Sequence, residues 1–224
     1  MQKAVYFANK FSITDELKFL LGARMSYYKY RITGGNGNRN FTQEITPYLG
    51  ITYDIGENHT LYASYTSIFK PQTVKDINGK YLDPIQGKDY ELGIKGDYFD
   101  GALSASFGVF KVVQDKLGAR TGQKIPGTTT DAYEAKKGVT SKGFEVDVNG
   151  EINQNLSLGL GLTHFNAKDA DGKKFDTESS RTTANLFAKY SIADFRAGAG
   201  VQYKSKIYVG SGANEITQKA YTLA

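Results

Sequence analysis

Several stretches of this sequence carry residue types that could do chemistry. "KDADGKKFDTE", residues 168–178, gathers Asp169, Asp171, Asp176 and Glu178, and hard cations favour such oxygen clusters. The spacing is not that of an EF-hand loop, and a solvated acidic loop explains it equally well. The two histidines are His59, in "GENHT", and His164, after "LSLGLGLT". Neither has an acid and a nucleophile beside it in sequence. Catalytic triads are set by geometry rather than spacing, so nothing in this pattern supports an enzyme. "TGGNG" and "NGNRN" lack the lysine and the helix of a phosphate loop and read as a loop tip. With Cys 0 there are no disulfides, no thiolate catalysis and no cysteine metal sites. The net charge of +5 comes without a basic cluster interleaved with aromatics, so no nucleic-acid partner is expected.

The elements that must position these residues are strands. In "LSLGLGLTHF" leucine fills every even position from Leu156 to Leu162, and Ser157, Gly159, Gly161 and Thr163 fill the gaps. Alternation of period two is the signature of β-structure. A small, weakly polar second face suits a barrel wall, with leucines toward lipid and small residues toward a lumen. The same period predicts about ten complete strands, near residues 3–12, 17–32, 41–55, 60–69, 88–99, 102–114, 138–150, 155–166, 181–191 and 195–210. A further strand starts near Lys219. No apolar run reaches the roughly 18 residues of a transmembrane helix.

The connections alternate in length. "ITDE", "GENH", "DG", "EINQN" and "IAD" are tight. "TGGNGNRN" and residues 70–87, 115–137, 167–180 and 211–218 are long. Tight turns therefore lie at one end and long loops at the other, as in outer-membrane barrels. Parity gives an apolar face, for example Tyr90, Leu92, Ile94 and Tyr98, opposite a wet one, Glu91, Lys95 and Asp97. Tyr53, Tyr98 and Tyr190 fall on the apolar face beside tight turns, where an interfacial aromatic belt belongs. A soluble β-sandwich or lipocalin-like barrel is the alternative. Strands of ten residues or more argue against it, because soluble strands usually run about 5–6.

"IFKPQTVKDINGKYLDPIQGKDYELGIKGDYFDGALSASFGVFKV" resembles the barrel of TonB-dependent outer-membrane receptors, specifically ferric-siderophore receptors of the hydroxamate, coprogen and pyoverdine type. The points of likeness are "FKPQ", "LDP..G..YE.G.KG" and the acidic-Gly turn after it. "SKGFEVDVNGEI" and "SKIYVGSGANEITQKAYTL" resemble later barrel segments. The resemblance implies an all-β antiparallel transmembrane meander of about 10–11 strands, one segment of a 22-stranded barrel in the bacterial outer membrane. Residues 1–224 then form a partial barrel domain without the family's plug, its TonB-contacting box or the aromatic end residue. "MQKAVYFANKF" also lacks signal-peptide features, as expected of a mature piece. Such a piece leaves two strand edges open.

By the same resemblance the partners are a ferric siderophore, outer-membrane lipid and, through the plug alone, the TonB complex. No cofactor is implied, because iron arrives wrapped in its chelator. The mouth then needs aromatic platforms and hydrogen-bonding groups on the lumen face. Parity nominates Tyr28 and Tyr30 at the mouth end of their strand, Tyr48 deeper, and Gln114 and Phe165 beside long loops. Tyr133 rides the longest loop. The bland reading of each is loop packing or lumen lining. A passive pore, or a small structural or engineered barrel without transport activity, is the alternative function.

Overall fold

The computed structural model describes residues 1–30, 39–175, 179–209 and 216–224. Ten long strands of ten to seventeen residues build the wall: β1 (Gln2–Ser12), β2 (Leu17–Tyr30), β3 (Arg39–Ile55), β4 (His59–Lys70), β5 (Ile85–Tyr98) and β6 (Leu103–Asp115), then, after a hairpin of β7 (Leu117–Lys124) and β8 (Asp131–Lys136), β9 (Thr140–Glu151), β10 (Leu156–Lys168), β11 (Thr182–Ile192) and β12 (Phe195–Lys204). Short β13 (Ile207–Val209) and β14 (Ile216–Gln218) pair with each other, and β15 (Tyr221–Leu223) adds to β12. The wall is one eleven-stranded antiparallel sheet in the order β1-β2-β3-β4-β5-β6-β9-β10-β11-β12-β15. The sheet is open, with β1 at one edge and β15 at the other.

Register sorts the side chains into two faces. Leu160 lies opposite Val148 and Leu186, Val148 opposite Ala105, and Leu92 opposite Ala63. This outer face stays bare: Ile45 is 62% exposed and Leu92 58%. Tyr53 and Tyr190 stand on it beside tight turns, as does Tyr98, whose hydroxyl meets His59 Nε2 at 3.1 Å. Few apolar side chains among the described residues are buried: Ile125, Ala132, Ala167 and Pro84. Among the described residues no second layer covers the sheet, and this apolar face suits lipid as its solvent.

The register also climbs. The pair Ile55–His59 at the β3–β4 turn continues through Gly96, Ala105, Val148, Leu160 and Leu186 to Val201. His59 opens β4, whereas Val201, six strands along, stands six residues above Phe195, the first of β12. A shift of about one residue per strand is the stagger that a tilted barrel wall requires.

Two expectations change. Residues 115–137 hold a β-hairpin rather than a plain loop. Lys116 adopts a left-handed conformation (φ 59) and turns the chain out of β6 into β7. The strand expected over residues 195–210 stops at Lys204. There the Ser205 hydroxyl, not a backbone carbonyl, accepts the Thr182 N–H at 3.0 Å, and the ladder ends.

Above the wall, residues 71–84 and the β7–β8 hairpin form a cap. Gln72, from "FKPQ", is 8% exposed. Its Nε2 donates to the carbonyls of Asp83 at 2.5 Å and Lys116 at 2.8 Å, and its Oε1 accepts the Gly118 N–H at 3.1 Å. One side chain thus staples three segments. A Cβ at Gly118 would lie 2.6 Å from a Val74 methyl, so only glycine admits this approach.

Candidate functional site

On the inner face, glycines make room for tyrosines. A Cβ on Gly22 would sit 2.0 Å from the Tyr48 ring, so Tyr48 lies flat along the wall, its hydroxyl 3.4 Å from the Phe7 carbonyl. Gly93 and Gly108 seat Tyr62 in the same way. The Tyr62 hydroxyl donates to Glu91 at 2.5 Å. Gly108 leaves a gap in β6 that Glu91 and Glu145 enter from either side: a Cβ there would be 3.2 Å from Glu91 Oε1 and 3.8 Å from Glu145 Cγ. Asp89 and Asp147 continue this acidic stripe on the same face. Asp89 Oδ1 is buried without a hydrogen bond. Lys95 stands 4.9 Å over the Tyr62 ring, and no ion pair to these four carboxylates occurs among the described residues. Like charges crowded in a half-buried strip repel one another unless water, a cation or a proton compensates them.

Toward the long loops the inner face turns apolar. Ile68, Ile85, Val112, Gln114, Val139 and Phe175 line a cavity of about 370 Å³. Phe165 faces inward opposite Gly143, where a Cβ would meet the His164 carbonyl at 2.2 Å. Phe110 and Phe187 share this face. Beside Phe165 lies Arg181, placed there by the bond from the Phe165 N–H to the Arg181 carbonyl at 2.9 Å.

The nominated residues separate into groups. Gln114 lines this cavity, and Phe165 shares the inner face two strands away on β10. Tyr28 shares the inner face with Ser26, pairing with Phe41 across a bulge, but on β2, four strands away from β6. Tyr30 pairs with Arg39 at the end of β2, and its side chain lies outside the described residues. Tyr48 serves the wall. Tyr133 belongs to the cap, where its hydroxyl accepts from Arg120 Nε at 3.2 Å and its N–H donates to the Lys75 carbonyl at 2.8 Å. Beside it, the hydrogen bond from Lys124 holds the Asp131 carboxyl below its ordinary range. Sequence reasoning missed Arg181, Tyr208 and Phe175. Parity alone would have put Arg181 inward with Phe165, but Tyr208 reaches it from a separate strand.

Asp169 is occupied in its own loop, accepting the N–H groups of Asp171 at 3.0 Å and Lys173 at 2.9 Å. Asp176 and Glu178 lie outside the described residues, as do the glycine-rich tip at 33–38 and residues 210–215. Among the described residues no three metal-ligating side chains converge. His164 points outward and bonds Thr182 Oγ1 through Nδ1 at 2.8 Å.

A family model described as TonB dependent receptor-like, beta-barrel, matches residues 1–224. The chain is 35% identical to the ferric-pyoverdine 358 receptor of Pseudomonas putida over 92% of its own length and 26% of that protein. It is 32% identical to the ferripyoverdine receptor of Pseudomonas aeruginosa over 92% of its length and 26% of that receptor. The structure superposes on the alcaligin outer-membrane receptor FauA of Bordetella pertussis with a TM-score of 0.85 at 34% identity, covering 91% of this chain and 37% of that one. The chain thus spans between 26% and 37% of the length of these relatives.

Proposed function

The chain belongs to the β-barrel family of TonB-dependent receptors of the bacterial outer membrane, and from that premise we propose that it supplies wall, extracellular loops and part of the ligand mouth of a receptor that imports a ferric siderophore. The carrying observation is the mouth itself. It is an inward, mostly apolar recess with one aromatic ring, Phe175, and Lys70, Gln114 and Ser141 as its polar groups. A ferric chelate brings its own iron ligands, so its receptor needs contact surface and orienting groups rather than metal ligands. The named relatives are receptors for ferric pyoverdine and alcaligin, and they give no support to a passive pore or a purely structural barrel. They are transport receptors rather than enzymes.

The acidic stripe of Asp89, Glu91, Glu145 and Asp147 supports an occupied lumen. Four carboxylates on one patch of wall favour a tenant that brings cationic side chains, which is the place of a plug domain. In this reading the energised TonB complex acts on that plug, and the strands described here stay still around it. Tyr28, four strands from β6 on the same inner face, offers the ligand a further contact.

The test is a titration of the full-length receptor with ferric hydroxamate and ferric pyoverdine-type chelates, read by intrinsic fluorescence, beside residues 1–224 alone. Saturable binding by the full-length protein and little or none by the isolated chain is expected, because affinity depends on preorganising the whole mouth. Phe165→Ala and Tyr30→Ala should each weaken it. A full-length receptor that binds no ferric chelate would overturn the reading.

A further inference from the structure

Arg181 is the most unusual cation in the molecule. It stands one residue before β11, directly across from Phe165, and is only 9% exposed. Its Nη2 donates to the Phe175 carbonyl and, at 2.5 Å, to the Tyr208 hydroxyl. Tyr208 in turn donates to the same carbonyl at 3.2 Å. The guanidinium carbon lies 5.9 Å from the Phe165 ring centre and 5.5 Å from that of Tyr208. These contacts fix the plane of the group but use one nitrogen. Nε and Nη1 are buried and have no hydrogen-bond partner among the described residues.

A second cation meets the same ring. Lys174 Nζ lies 3.9 Å from the centre of the Tyr208 ring. Neither Lys174 nor Arg181 forms an ion pair among the described residues. Two positive groups therefore share one aromatic ring, and the more buried of them keeps unused donors on two edges. A buried charged donor without an acceptor is costly. Arg181 is held in place by a carbonyl, a hydroxyl and two rings, so it does not turn away to find water. The missing acceptor is best supplied by something that enters the mouth.

We propose that Arg181, assisted by Lys174, is an anion subsite that takes a carboxylate or equivalent oxyanion carried by the iron chelate. This rests on the uptake reading and narrows it: the preferred chelate presents a negative group outside its iron-binding atoms, on the side that faces β10 and β11. Phe165 contacts the body of the ligand while Arg181 selects its charge.

The experiment compares two probes on the full-length receptor: a ferric trihydroxamate with a pendant carboxylate, and the same chelate with that carboxylate converted to a primary amide. Wild type should bind the carboxylate form at least about tenfold more tightly, as expected for a charge-assisted hydrogen bond. Arg181→Gln should abolish the preference and leave the affinity for the amide within about twofold; Arg181→Lys should restore part of the preference by keeping the charge. A preference that survives in Arg181→Gln, or an equal loss for both chelates, overturns the subsite, since the second pattern is what a structural role produces. Citrate, titrated at constant ionic strength and read as a shift in unfolding temperature, tests the subsite without iron. If wild type binds neither chelate, the uptake reading falls. A citrate shift present in wild type and absent in Arg181→Gln then still supports the subsite, and one alike in both proteins, or absent from both, overturns it.

Discussion

The wall and the cap are both built from strands, but they bury opposite things. The wall leaves Ile45, Leu92 and their neighbours bare on one face and keeps charge on the other. In the cap, Ile125 and Ala132 are buried, and the polar atoms of Gln72 are paired with backbone. The cap obeys the rule for water, apolar inside and polar groups satisfied. The wall obeys the rule for lipid, in which the apolar face is the outside. The chain changes solvent between Asp115 and Leu117, across the single left-handed residue Lys116.

That contrast can be broken deliberately. The largest effect is expected for Leu160→Arg, which puts a charge on the lipid face and should cost about 2–4 kcal/mol near the bilayer midplane, while Ser157→Arg on the inner face should cost less than about 1 kcal/mol. Unfolding of the two variants in lipid vesicles gives the comparison, and equal costs would erase the two-faced wall. Next, Gln72→Ala strips partners from two carbonyls and an N–H in the cap, a local loss of about 1–3 kcal/mol. Protease should then cut within residues 117–136 while the wall stays intact; loss of the wall as well would mean that the two regions are one cooperative unit.

Gly143→Ala comes third. Its Cβ would meet backbone at 2.2 Å, an overpacking expected to cost about 1–3 kcal/mol. Gly159→Ala, with nothing within 4 Å, should be nearly neutral by the same assay. The smallest effect concerns pH. Asp131 has its carboxyl lowered in the folded cap by Lys124. Its stabilising contribution is full above the ordinary carboxylate pKa of about 4 and is lost as pH falls through the lower folded value. Amide protection in the β7–β8 hairpin, taken relative to the intrinsic exchange rate at each pH, should fall in acid while that of the wall does not, and Asp131→Asn should remove that acid sensitivity.

Much of the wall was legible because its period of two is local. Each strand shows its own alternation, and the tight turns mark one end. The cap was not legible. "LGARTGQK" and "DAYEAK" have weak alternation, and Gln72, far away in sequence, ties the first of them to Asp83. The end of β12 was missed for a related reason: Ser205 replaces a backbone acceptor through its side chain, which alternation does not report. At the mouth, Gln114 and Phe165 followed from parity. Arg181 did not stand out, because what distinguishes it is unmet hydrogen bonding beside Tyr208, and that exists only once three segments have met.

The one-residue climb per strand has a consequence for whatever moves inside the barrel. A rise of about 3.3 Å against a spacing of about 4.8 Å inclines the strands at roughly 35° to the axis. A thirteen-residue strand such as β10 is then about 43 Å long and ends about 25 Å around the circumference from its own turn, roughly four strand widths away. The inward side chains therefore run as inclined tracks, like rifling in a bore. A rigid insert advancing about 10 Å along the axis crosses about 7 Å sideways relative to any one track, more than a strand width. Axial travel exchanges one strand's side chains for the next, and an insert that keeps its partners must rotate as it goes.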